Sequence, residues 1–301
     1  MSTPKKHHYV PQMLLRRFAH DGRLWHVPVD REDVPRKQRP TDIGHVNGGH
    51  NLIRLDGTVD RVSMERAMGE IESEASKAIT ALEQDESLDV VPPELASPIA
   101  WLASLQRARS RARLGYIAES VSGSRDDDPH KGTAFDLQSS LLRVGTVGLF
   151  NAWSLRDDET ARPKDRWDFT THALLGMRWD VMRYSDRCLA ISDEFAAQYG
   201  VRVDARGDFT RDPWSSKFGL NTPLWAATGA TIALTPQLAL SLHHGDHRKP
   251  TAAASVNMHT IRSARSFVAF PTDYELERVL ESWALWIQES RFVRDALPRA
   301  L

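Results

Sequence analysis

The chain has 301 residues, 41% of them hydrophobic and 26% charged, which suits a globular protein with a well-buried core and excludes a disordered or fibrous one. A formal net charge of −1 gives no global attraction to nucleic acid or membrane, so any such role must rest on a local patch. One cysteine, Cys188, excludes an internal disulfide and any multi-cysteine zinc or iron–sulfur site, and fits a reducing compartment.

In chain order, Lys5-Lys6-His7-His8-Tyr9-Val10-Pro11 comes first, followed by Met13, Leu14, Leu15 and Phe18 with Arg16 and Arg17 between them. Pro11 suits a helix start, where its missing N–H costs nothing, and the helix is expected to run to about Ala19. His20-Asp21-Gly22 turns the chain into a strand over 24–29, residues 31–49 read as loop, and 51–55 as a short strand closed by Asp56-Gly57. Met64, Met68, Ile71, Ala75, Ile79 and Leu82 then fall at three- and four-residue steps, which predicts an amphipathic helix. A second helix is expected from Pro93 to about Ser120, with Leu95, Ile99, Leu102, Leu105 and Ala112 inward. The short acidic link 84–92 makes the two an antiparallel pair.

Residues 122–133 read as an acidic loop and 135–153 as an apolar, helix-compatible segment weakened by Gly145 and Gly148. The alternation over 178–184 predicts a strand, 188–191 is a short buried run, and 231–234 with 238–242 predict a hairpin around Pro236. Residues 256–264 and 274–293 read as helices, with a strand over 267–270 between them. Strands and helices in this order predict an α+β domain and not a doubly wound sheet. The N-terminal segment and the helix pair should pack with a mixed or antiparallel C-terminal sheet flanked by helices. A single domain over 1–301 is expected, with a mainly helical part to 160 and a sheet-containing part from 161. Apolar runs such as 224–242 are too interrupted to span a bilayer, and no secretory signal pattern opens the chain, so a cytoplasmic location is expected.

The opening His7-His8-Tyr9-Val10-Pro11-Gln12, running into Leu15-Arg16-Arg17-Phe18, resembles the start of a mainly bacterial family named only as a domain of unknown function, DUF4238. Further stretches match that family's pattern in order: Ile71-Glu72, Gln106 with Arg109, Ile191-Ser192-Asp193, Leu234-Thr235-Pro236 with Leu238, and Val256-Asn257 ahead of Phe267-Val268. Two departures stand out. Glu194-Phe195 replaces the family's Asn-Pro after Asp193, and Ala233 stands where a proline is usual. The resemblance names no reaction.

Histidine titrates near neutrality and ligates divalent metals, so His7 and His8 are the first candidates for chemistry. In an extended segment their rings point to opposite sides, so one enters a given pocket and the other orients or faces solvent. The block superficially resembles the first block of His-Me-finger nucleases, with His45 or His50 and Asn51 as later polar partners, although it leads straight into a helix. His243-His244-Gly245-Asp246-His247 approximates the ligand box of metallo-β-lactamase-like hydrolases, but Leu242 replaces the first histidine, and a polar surface turn is expected. Arg125 and His130 have the spacing of HEPN-type ribonucleases, but in a loop where that chemistry needs a helix.

Arg107, Arg109, Arg111 and Arg113 fan out over a helix. Arg109 and Arg113 with Gln106 could hold a phosphate or carboxylate, and the competing reading is a solvated face. Asp193, at a strand end, is the best-placed carboxylate for a shared cleft. Alternatively Ser192 or Asp193 caps a helix over 194–197. No P-loop, Gly-x-Gly-x-x-Gly turn or Gly-x-Ser-x-Gly elbow occurs.

The composite expected from these readings brings His7 or His8 towards Asp193, Arg109 and Asn257. His7, His8 and Asp193 would be catalytic; Gln106, Arg109, Ser192 and Asn257 would bind substrate. The metal is unassigned, with a divalent ion as the candidate cofactor. One function is a hydrolase or nuclease acting on a phosphate-containing substrate or nucleic acid in a bacterial conflict setting. The other is a non-catalytic ligand- or protein-binding module in which the opening block is a structural anchor. An enzyme should gather these residues in an open cleft; a scaffold should bury them as satisfied pairs.

Overall fold

The computed structural model describes residues 6–29, 35–47, 52–53, 59–60, 62–110, 146, 148–166, 168–201, 227–245, 251–264, 266–281 and 284. The spacing over 64–82 produces α2 (Ser63–Gln84), and all six residues that carry it are buried. It packs against α3 (Pro93–Arg109), which starts with proline at its first position, where no N–H is needed. α3 is not amphipathic: residues from Ala96 to Arg109 are buried on nearly every side, as in a helix enclosed by its own protein. Trp101 meets Trp153 edge to face at 5.4 Å, which joins α3 to the helical residues 148–155.

The β part is antiparallel throughout, and the chain is of the α+β class. One four-stranded sheet unites distant parts of the sequence. Its order is β3 (Arg36–Gln38), β2 (Leu24–Pro28), β12 (Phe267–Pro271) and β8 (Ile191–Ser192). Phe267 lies opposite Pro28 and Pro271 opposite Leu24. The second sheet runs β7 (Arg178–Arg183), β11 (Leu238–His243), β10 (Ala227–Ala233) and β9 (Ala197–Val201), and its β10–β11 hairpin is the one predicted around Pro236. Among the described residues two ribbons accompany them, β1 (Lys6–His8) with β4 (His45–Asn47) and β5 (Leu52–Ile53) with β6 (Val59–Asp60).

The N-terminal segment docks as expected on the C-terminal strand. α1 (Gln12–Phe18) buries Leu14, Leu15 and Phe18, and the Tyr9 ring lies 6.5 Å from Phe267. Gly44 makes this approach feasible. Its φ of +62° favours glycine, and a Cβ there would lie 3.1 Å from Val10 Cβ. The Gly44 carbonyl accepts from the Tyr9 N–H at 2.8 Å.

Several expectations are corrected. The stretch 31–49 is not all loop, since it contains β3, a 3-10 turn (Pro40–Asp42) and β4. The helix expected over 194–197 is absent; that stretch leads into β9. An additional helix, α4 (Phe169–Leu175), is N-capped by Asp168, whose carboxylate accepts from the Thr171 N–H. α5 (Ala253–Ser263) matches the helix read over 256–264, and residues 276–281 begin the last one. Ala112, the loop 122–133, most of 135–153 and the end of the final helix lie outside the described residues.

Because Leu102 has no exposed surface, Leu102→Asp should lower stability by about 3 kcal/mol or more, the cost of an unpaired buried charge relieved in part by protonation. Denaturant unfolding checks this, and a midpoint equal to wild type would refute the packed helix pair.

Candidate functional site

His8 ends β1, directly opposite His45 on β4. Its Nδ1 lies 3.2 Å from the Ile43 carbonyl and its Nε2 2.6 Å from Gln12 Nε2. The carbonyl can only accept, so Nδ1 carries the proton; Nε2 must then accept from the Gln12 amide. Arg16 fixes the orientation of that amide by donating to Gln12 Oε1 at 2.7 Å. The ring is therefore neutral with both nitrogens engaged. Burial, with the nearby His45 second, pushes its pKa down to about 4 despite opposing contributions from Ile43 and Glu65, and Arg109 lowers it further.

Arg109, through which this block senses α3, is 1% exposed and is not part of a solvated face. Its Nε donates to Gln106 Oε1 at 3.2 Å and its Nη1 to Met68 Sδ at 3.4 Å. Nη2 lies 2.8 Å from Glu72 Oε1 as an ion pair without hydrogen-bond alignment. Gln106, also 1% exposed, donates through Nε2 to the Asp193 backbone carbonyl at 3.1 Å. The Asp193 carboxylate, with no exposed surface, accepts from the Ser266 N–H at 2.9 Å and the Phe267 N–H at 3.5 Å. Gln106 thus joins Arg109 to the backbone of Asp193 in a buried relay that runs from α2 through α3 to the start of β12.

The remaining candidates serve local structure. Ser192 Oγ donates to the Glu194 carbonyl and accepts from the Glu194 N–H, so it shapes a turn and caps no helix. Asn257 on α5 accepts from the Ala190 N–H and donates to the Cys188 carbonyl, both at 2.8 Å, imitating a strand partner for the segment entering β8. His7 pairs in register with Val46; its side chain, like His50, Asn51, Arg111, Arg113, Arg125, His130, Asp246 and His247, lies outside the described residues. A shallow cleft between α3, α4 and β9 is lined by Ala103, Arg107, Thr170, Glu194 and Gln198 among others. Neither Gln106 nor Asp193 lines it.

One polar pair was not anticipated. His243, expected in a surface turn, is buried, and its Nε2 lies 2.9 Å from Asp180 Oδ2 while Nδ1 lies 3.0 Å from the Gly245 carbonyl. Arg178 Nε donates to the other Asp180 oxygen at 3.0 Å. Beside them Tyr199 stacks on His259 at 4.7 Å and crosses Gly229, where a Cβ would lie 2.5 Å from the tyrosine oxygen. The alternation over 178–184 places Asp180 on a strand and the histidine cluster after 238–242 marks His243, but no local pattern pairs the two across sixty-three residues. Among the described residues no group of three or more histidine, cysteine, aspartate or glutamate side chains could hold a metal ion, and no helix is long and apolar enough to cross a membrane.

The profile of the family described as a protein of unknown function, DUF4238, matches residues 6–273. The chain belongs to the DUF4238 family. The match starts at the first residue of β1 and ends two residues beyond β12, so the DUF4238 region includes both the opening block and the strand on which it docks. No curated protein and no solved structure matches the chain.

Burial pushes His26 and His259 down to about 4 as well, assisted by Arg36 and Arg262 respectively. With His8 these rings are neutral when folded and gain protons more readily when unfolded, near 6.5. Their contribution is complete above about pH 6.5 and is lost as pH falls towards 4. Denaturant midpoints measured from pH 7.5 to 4 should fall across that window, and a flat profile would contradict the burial of these rings.

Proposed function

We propose that this DUF4238 chain is a non-catalytic ligand- or protein-binding module, built as one unit over 1–301 and working in the cytoplasm, in which the opening histidine block is a structural anchor. The observation that carries this reading is where the polar atoms are spent. Both His8 nitrogens, the Gln106 amide, the Arg109 guanidinium and the Asp193 carboxylate bond to the protein itself. A hydrolase or nuclease acting on a phosphate-containing substrate needs an imidazole and a carboxylate that face a cleft. Asp193 has no exposed surface, and the shallow cleft nearby is lined by other residues. Polar burial against protein partners fixes a fold, because an orphaned buried donor or acceptor costs about 1–3 kcal/mol.

Accordingly, His8→Ala should lower stability by about 1–3 kcal/mol, by orphaning the Ile43 carbonyl and the Gln12 amide. The wild-type chain should not cleave bis-p-nitrophenyl phosphate in the presence of Mn2+ or Mg2+. A His8→Ala variant with wild-type stability that loses a cleavage activity present in wild type would establish the enzyme reading instead.

A further inference from the structure

The second sheet carries two adjacent polar rows on one face. Register places Ala197, Thr231, Ser241 and Asp180 across its four strands, and the neighbouring row reads Tyr199, Gly229, His243 and Arg178. Residues directly opposite each other share a face, as do residues two apart along a strand. The row on the other side, Ala233, Ala239 and Met182, is apolar. Thr231 is 1% exposed and Ser241 has no exposed surface, and neither hydroxyl makes an aligned hydrogen bond to the protein. We propose that Thr231 and Ser241 hold a resident water molecule between β10 and β11, next to the Tyr199 hydroxyl.

Burying a hydroxyl without a partner is costly, and two such groups facing each other are the setting in which enclosed water is retained. The spacing suits one molecule. Directly opposite residues have Cβ atoms about 4.5–5.5 Å apart, and a water making two bonds of about 2.8 Å spans oxygens up to roughly 5.6 Å apart. A buried water takes about two to four polar partners, and Tyr199 supplies the third. Its hydroxyl has only a long bond of 3.5 Å to the Leu242 carbonyl. Burial raises the Tyr199 pKa, its proximity to Ser241 opposes the rise and the Asp180 charge adds to it, so the three side chains share one polar patch. Gly229 lets the phenol lie over the sheet, since a Cβ there would come within 2.5 Å of the tyrosine oxygen. His259 from α5 stacks on the Tyr199 ring at 4.7 Å with the planes 14° apart and roofs the patch. Asp180 is already engaged by His243 and Arg178, which leaves hydroxyls as the ligands and favours neutral water over an ion.

The inference goes beyond the anchor reading and can fail independently, since it concerns the other sheet and none of the residues of the opening block. A high-resolution crystal structure of the full chain should show the water within hydrogen-bond distance of both oxygens, and nuclear Overhauser effects should run from water to the Thr231 methyl and the Ser241 β protons. Thr231→Val keeps the shape and removes one ligand of the water, so its unfolding midpoint should fall. Combined with Ser241→Ala, the loss should be smaller than the sum of the single losses, because both hydroxyls serve one guest. Hydroxyls that were merely unpaired would give the opposite sign, since a methyl group in place of an unpaired buried hydroxyl stabilises. A Thr231→Val midpoint equal to or above wild type, additive losses, or the two oxygens bonded to each other or to backbone carbonyls with no water between them would overturn the proposal. The measurements on wild type need no variant, so they stand even where a substitution prevents folding.

Discussion

A carboxylate with no contact with water imposes the constraint on which this architecture rests. Taking Asp193 out of solvent costs several kcal/mol unless donors replace the lost hydration. Two donors come from Ser266, just before β12, and Phe267, its first residue, and β12 is the strand on which β2 pairs. The same residue's backbone carbonyl receives Gln106 from α3. One aspartate therefore fixes the start of β12 relative to β8 and to the central helix, and the N-terminal block is laid down on what it fixes. Gly44 and Tyr9 reach Phe267 itself.

The opening block reports on the same junction from the other side. His8, Gln12 and Arg16 form a relay along β1 and α1, and Arg109 acts on His8 by charge while bonding to Gln106. Arg109 is a costly residue to enclose, and removing Glu72 would take away the carboxylate paired with a buried cation. Such networks contribute specificity more than raw stability, because a hydrophobic replacement could fill the same volume but would not dictate which elements meet.

The sequence revealed the amphipathic helix and the hairpin because each depends on local periodicity. Met64 to Leu82 repeat at helical steps, and two short apolar runs, 231–234 and 238–242, flank Pro236. It concealed what depends on distant partners. β3 and β4 are three residues long, and β3 is Arg-Lys-Gln, a composition that reads as loop until β2 and β1 supply the pairing. Ile99, Leu102 and Leu105 of α3 are buried as expected and Leu95 partly so, but its other sides are buried too, which no periodicity encodes. Gln106 and Arg109 could be singled out from their helical spacing and Asp193 from its place at a strand end, and the structure links them through Gln106. Their burial could not be read, since whether a polar residue faces water or a partner depends on distant residues, as far as 87 positions away for Gln106 and Asp193.

The central claim is that the Asp193 carboxylate holds β12 in place and, through it, β2. Hydrogen exchange on Asp193→Asn tests it directly, because the amide can accept only one of the two N–H groups and turns a donor towards the other. The account predicts faster exchange at Ser266 and Phe267 together with the β2 amides that pair with β12, at a loss of about 1–3 kcal/mol of protection. Loss of protection confined to Ser266, with β2 unchanged, would contradict it.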